Sequence, residues 1–186
     1  DGGCVGEPYN SAAVDSGAGW IVATSEQLAP NHPEKVLLTT EGFIDKSRGQ
    51  TLAVIEALRE ACAFCDALEN RAEVARILFR SGCFHSSTED ILRRSLCGPL
   101  ELGTGRMADV SSFHIFKRRD ANEPTGERGR WLLEQFASHG LITPGERPEA
   151  ARALADCWTS NVLHLPQAAA AKSTRKTNKR QENAHA

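Results

Sequence analysis

The apolar positions of this chain follow helical spacing far more often than strand alternation, most clearly in the middle. From Gln50 to Leu68, Val54, Ile55, Leu58, Cys62, Cys65 and Leu68 recur at steps of three and four. That period puts them on one face of a helix, with Arg59, Glu60 and Asp66 largely off it. Asn70–Phe79 predicts the next helix. "SSTEDILRRSL" starts another, with Ser87 and Asp90 in capping-box-like spacing. "ERGRWLLEQFASHG" predicts a helix closed by Gly140, and "RPEAARALADCW" a last one beginning near Pro148.

Nearer the start the pattern is shorter. "GGCVG" is apolar and glycine-flanked, as a buried strand would be, and "NSAAVDSG" predicts a short helix ended by Gly17. "GWIVATSE" is β-branched and compact and predicts a second strand at Trp20–Thr24. In "HPEKVLLTTEGFIDK", Pro33 followed by Glu34 suits a helix N-terminus, where proline loses no bond and an anion meets the dipole. "CGPLELGTGRMADVSSF" reads as loop, and no internal repeat is present. Two strands followed mostly by helices is the inventory of the back half of an α/β protein.

Composition sharpens this picture. The 186 residues suffice for one or two domains, and a start at Asp1 in strand-like sequence reads as the C-terminal part of a longer chain. No window approaches the roughly 18 consecutive apolar residues of a membrane helix. Net charge is −2, yet Lys172, Arg175, Lys176, Lys179 and Arg180 face only Glu182 in the tail, leaving −6 on the rest. An acidic body argues against direct nucleic-acid binding, and the apolar-poor tail reads as a disordered basic extension. Cys4, Cys62, Cys65, Cys83, Cys97 and Cys157 sit mostly among apolar neighbours. There they act as small hydrophobes, and their number favours a reducing compartment.

Candidate chemistry is sparse. Cys62-x-x-Cys65 with Cys83-x-His85 has the residue types of a zinc set. However, the first pair lies on the apolar stripe of a long helix, so no metal is assigned, and no cofactor either. "LGTGR" lacks the preceding strand and following Lys-Ser/Thr that make a phosphate loop. None of His32, His85, His114 and His139 marks a paired base beside a nucleophile, so no enzyme is read here. Glu7, in "CVGEPYN", is the singular feature. Gly6 gives it backbone room and Pro8 fixes the exit angle, while Tyr9 and Asn10 add a hydroxyl and an amide. The cluster is either a small polar pocket at a strand's C-terminal end or a glutamate that caps a helix.

Taken in order, "CVGEPYN", "HPEKVLLTTEGF", "ALREACAFCDALENRAEVARIL", "FHIFKRRDAN" and "GRWLLEQFASHGLI" resemble the C-terminal half of the nitrate- and bicarbonate-binding proteins of bacterial ABC importers. The resemblance runs from about Asp1 to Thr143, with Tyr9 standing where the family usually has tryptophan. It implies an α/β, type II periplasmic-binding-protein-like fold, present as a mostly helical C-terminal fragment with few strands. Residues 1–19 would end the second lobe, 20–165 would return to the first lobe and its helices, and 166–186 would be the tail. It also implies that Glu7, Tyr9 and Asn10 face a cleft for a small oxyanion. The implied function is a non-enzymatic solute receptor, periplasmic or membrane-anchored, that hands nitrate, nitrite or possibly bicarbonate to an ABC permease and ATPase. The alternative is a cytoplasmic nitrate/nitrite sensor on the same fold that sequesters an antiterminator protein.

Overall fold

The computed structural model describes residues 1–84, 87–109 and 113–159. The predicted tail, residues 166–186, lies outside these. Seven α-helices and one two-stranded hairpin occur among the described residues. In chain order they are α1 (Tyr9–Asp15), α2 (Ser25–Leu28), α3 (Glu41–Asp66), α4 (Arg71–Ser81) and α5 (Glu89–Leu96). Then come β1 (Leu100–Gly103), β2 (Arg106–Ala108), α6 (Gly126–Ser138) and α7 (Arg147–Cys157).

The helices follow the apolar periodicity, while their starts follow capping chemistry. Helix α3 holds most of the predicted Gln50–Leu68 segment but begins at Glu41, with the Thr40 hydroxyl accepting from Phe43 N–H, and ends at Asp66, where Ala67 turns extended (φ −70°, ψ 122°). The helix expected from Pro33 is absent. Residues 32–40 hold no regular structure, and Thr40, extended (φ −97°, ψ 151°), is the cap from which α3 starts. Ser47, at φ −135° and ψ 34°, breaks the ladder inside α3. Helix α5 is capped by Thr88, one residue after the expected Ser87, and its hydroxyl accepts from Ile91 N–H. Ser87 is buried, with its own hydroxyl unpaired.

Both expected strands are corrected. Residues 1–6 are exposed and irregular, because "GGCVG" finds no neighbouring strand to complete a ladder. At Trp20–Thr24 one ladder bond forms, from Ile21 N–H to Leu102 O at 2.8 Å. The Ile21 carbonyl is taken by the Arg106 guanidinium at 3.0 Å, so pairing stops there. The segment read as loop holds the hairpin instead. Thr104 (φ 57°) and Gly105 (φ 75°) both sit at positive φ, as a two-residue primed turn requires. Its register pairs Leu100 with Ala108 and Glu101 with Met107.

Two small cores hold the body. Val74, Ala75, Leu92 and Leu96 form one between α4 and α5, with Cys65 and Phe84 against it. Ile21 and Leu100 form the other, covered by Val14, Leu102 and Phe113. Helices α6 and α7 pack on each other, Leu154 and Trp158 lying over Gly129, and among the described residues no other helix or strand packs on them.

Gly103 closes the second core. Its φ is +85°, and a Cβ there would meet Trp20 Cβ at 2.8 Å. Gly103→Ala adds that overlap to left-handed strain, so it should lose about 1–3 kcal/mol of unfolding free energy. Urea denaturation checks this. A cost under roughly 0.5 kcal/mol would mean that Trp20 is free to swing away.

Candidate functional site

The residues picked out near the N-terminus meet at the start of α1. A cis peptide joins Glu7 to Pro8, and Pro8 is fully buried. Glu7 Oε2 accepts from Ser11 N–H at 3.3 Å, satisfying one of the free donors of the first helical turn. Its Oε1 is buried without a hydrogen-bond partner. Asn10 Nδ2 donates to Val5 O at 2.8 Å, folding the preceding segment back on the helix. Tyr9 is half exposed and sets its ring edge-on to Phe84, with centroids 6.4 Å apart. Helix α1 rests on β1 and α5, and Arg94 ties to Asp15 at 2.5 Å.

Glu7, Tyr9 and Asn10 are thus held close together, with Glu7 capping the helix. They line neither of two hollows found among the described residues. One, of ≈ 50 Å³, lies between Thr24, Glu26, Leu100, Asp109 and Phe113. The other, an open groove of ≈ 450 Å³, lies between Glu134, Ser138, Ile142 and Arg147.

A second polar cluster escapes sequence reasoning. Asp66 ends α3 and turns into the body, where its carboxylate accepts from the backbone N–H of Phe116 (3.1 Å) and Arg118 (2.8 Å). It also accepts from Arg118 Nε at 3.1 Å. Arg71, which opens α4, is 2% exposed. Its guanidinium lies 3.9 Å from Asp66, over the Phe116 ring at 4.9 Å, and donates to His114 O at 3.0 Å. The signal in sequence was faint: an acid at a helix C-terminus, where the dipole disfavours it. Each of these partners serves to pin residues 113–118.

His114 completes the cluster, its Nε2 lying 2.7 Å from Ser95 O. Burial pushes its pKa down, with Arg71 adding to this, while Ser95 O and the Glu34 carboxylate oppose it. The folded protein therefore binds this proton less readily than the unfolded chain. Stability should be full above the unfolded value near 6.5 and fall as pH drops through it. Urea midpoints between pH 7.5 and 5.5 test this. His114→Gln should flatten the slope, and an unchanged slope would assign it to other groups.

The zinc-like set does not assemble among the described residues. Cys62 and Cys65 are half-buried on α3, and burial, then the neighbouring Cys62, pushes the Cys65 thiol up. Cys83 is exposed, and His85 lies outside the described residues. No group of three or more His, Cys, Asp or Glu able to hold a metal occurs among the described residues. No helix there is long and apolar enough to cross a membrane.

Residues 1–79 match the model of the NMT1-like family. The chain is 37% identical over 145 residues to the nitrate import ATP-binding protein NrtC of Synechocystis sp., covering 76% of this chain and 21% of that protein. It is 32% identical over 140 residues to the nitrate/nitrite binding protein NrtA of Synechococcus elongatus, covering 75% of this chain and 31% of that protein. It is 32% identical over 144 residues to the bicarbonate transport ATP-binding protein CmpC of Synechocystis sp., covering 76% and 21%. The chain thus spans about a fifth to a third of these relatives. No solved structure matches it. Across three quarters of its length, then, this chain belongs to the nitrate- and bicarbonate-binding protein family of ABC importers, of which it carries a part.

Proposed function

We propose that the protein containing this chain is a solute-binding protein that recognises a small oxyanion, nitrate or nitrite, for ABC-type import. The observation that carries this is the similarity to a nitrate/nitrite binding protein over three quarters of the chain. In this reading the fold is the two-lobed α/β trap of periplasmic binding proteins, working outside the cytoplasmic membrane with a permease and ATPase. Bicarbonate is the second candidate ligand, supported by the bicarbonate transport relatives. The relatives' names speak of import, transport and binding, which supports a receptor over a sensor.

In the same reading Glu7, Tyr9 and Asn10 stand at the cleft wall. A carboxylate facing an anion is unfavourable unless a cation or a proton offsets it. Glu7 therefore serves by orientation. Oε2 fixes the first turn of α1, and that turn sets where Tyr9 and Asn10 stand. Oε1, buried and unpaired, is the atom a cation accompanying the anion would meet.

Calorimetric titration of the natural full-length gene product with nitrate, nitrite and bicarbonate, with and without calcium, tests the proposal. Heat and a thermal shift with nitrate or nitrite, without turnover, are expected. Silence with all three removes the reading. Glu7→Gln should change affinity for the preferred anion by about tenfold, roughly 1.4 kcal/mol, at a near-wild-type melting temperature. A variant that melts early with unchanged affinity would leave Glu7 as a helix cap only.

A further inference from the structure

Two buried side-chain atoms of complementary hydrogen-bonding type sit unpaired at matching positions of two neighbouring helices. One is Glu7 Oε1, an acceptor, and the other is the Ser87 hydroxyl, which can donate. Ser87 is 7% exposed. A third such atom among the described residues, Arg71 Nε, belongs to the Asp66 cluster described above. A buried polar group without a partner is costly, and folded proteins leave few of them.

Helices α1 and α5 pack on each other and run the same way. Toward their C-terminal ends Asp15 meets Arg94 at 2.5 Å. At their starts Tyr9 sets its ring against Phe84, whose carbonyl accepts from Ser87 N–H at 3.1 Å. Asp15 lies six residues beyond Tyr9 and Arg94 five beyond Glu89, so the two helices are nearly in register. Glu7 stands two residues ahead of α1 and Ser87 two ahead of α5, which brings carboxylate and hydroxyl to the same end of the pair. Neither atom serves a cap: Oε2 alone holds the first turn of α1, and Thr88 caps α5. Both atoms are shut off from water, so each needs a partner from the protein.

We propose that Ser87 is the positioning residue of Glu7: in the assembled receptor, a turn about its χ1 lets its hydroxyl donate to Oε1. With Oε2 on Ser11 N–H and Oε1 on Ser87, both carboxylate oxygens are held and the plane of the group is fixed. Oε1 keeps a second lone pair for the cation considered above. This rests on the receptor reading, deepening it by naming the residue that sets the angle at which Glu7 meets the ligand.

Ser87→Ala in the natural full-length gene product tests it, and the sign of the thermal shift is informative. Deleting a hydroxyl that has no partner leaves a protein as stable or more so, whereas deleting the donor of Oε1 strands a buried acceptor. The melting temperature should fall by about two degrees or more; a smaller fall, or a rise, overturns the bond. In a Glu7→Ala background the same change should cost less than half as much, because its acceptor is gone. An equal fall there would give the hydroxyl another partner and overturn the bond as well. Position is read separately from stability. Ser87→Ala should change the affinity for nitrate by about threefold or more in the wild-type background, and by much less beside Glu7→Gln. An unchanged affinity in a protein that binds nitrate would overturn the positioning role. Coupled melting temperatures in a protein that takes up none of nitrate, nitrite and bicarbonate would remove the receptor reading and keep the bond, while anion binding with uncoupled melting temperatures would remove the bond alone.

Discussion

Asp66→Ala should lose about 3–5 kcal/mol of unfolding stability, the usual cost of taking one partner from a buried ion pair. Asp66 accepts from two backbone amides and a guanidinium, and behind it Arg71 is 2% exposed. Alanine removes all of these acceptors at once and leaves the Arg71 charge uncompensated. The amides of Phe116 and Arg118 lose their partner, and the 113–118 segment loses its anchor. Urea denaturation gives the size, and hydrogen exchange at residues 113–118 shows where the structure opens. Asp66→Asn keeps an acceptor and should cost less. Adding Arg71→Met to Asp66→Asn should recover part of the loss, because an uncharged pair of similar volume tolerates burial better than a lone cation. Additive losses in that double variant would mean that the two side chains are not coupled.

The same carboxylate has an acid limb. Burial alone would raise its pKa, but the Phe116 and Arg118 amides and the Arg118 guanidinium outweigh it, so the net shift is downward from 3.8. A depressed folded value means that its contribution is complete above 3.8 and is lost as pH falls through the folded value. It therefore acts at lower pH than the His114 effect, and a wild-type acid titration should contain both steps.

Leu92→Ala is the other large effect, at about 2–5 kcal/mol. Leu92 is 1% exposed in the α4–α5 core, where it belongs to a cluster of only four buried apolar residues. So small a core has little with which to refill a cavity. Leu92→Met conserves volume and should cost under about 1.5 kcal/mol. Chemical denaturation of both variants decides. A small loss for alanine would mean that α4 and α5 close over the gap.

Much of the helical part was legible because its signals are local. The helical period from Gln50 to Asp66, the Pro at the start of α7 and Gly140 after α6 each act within a turn or two, and each reappears in the structure, although Val54, Leu58 and Leu68 of the predicted stripe are exposed and Asp66 is buried. Errors of one residue arose where two hydroxyls compete, as Ser87 and Thr88 do before α5. The strands were misjudged for a different reason. A strand is defined by its neighbour, and "GGCVG" has no neighbour while Trp20–Thr24 shares a single ladder bond. The hairpin was overlooked because Thr104 at positive φ disguises a primed turn as loop. At the candidate site, the two readings of Glu7 were visible from its neighbours, but that Oε2 caps α1 required coordinates. The Asp66–Arg71–Arg118–His114 cluster joins residues dozens of positions apart, and no periodicity encodes such a meeting.

Helices α6 and α7 touch the rest of the fold through side chains and connecting loops rather than through a shared core. Arg59 grips Glu123 at 2.8 Å, Trp131 leans on His32, and Arg128 clasps the carbonyls of Arg119, Asp120 and Glu123. Such tethers transmit position without merging heat capacity. The pendant pair should therefore lose its order at a different temperature from the Leu92 cluster, and scanning calorimetry should resolve two transitions where a shared core would give one.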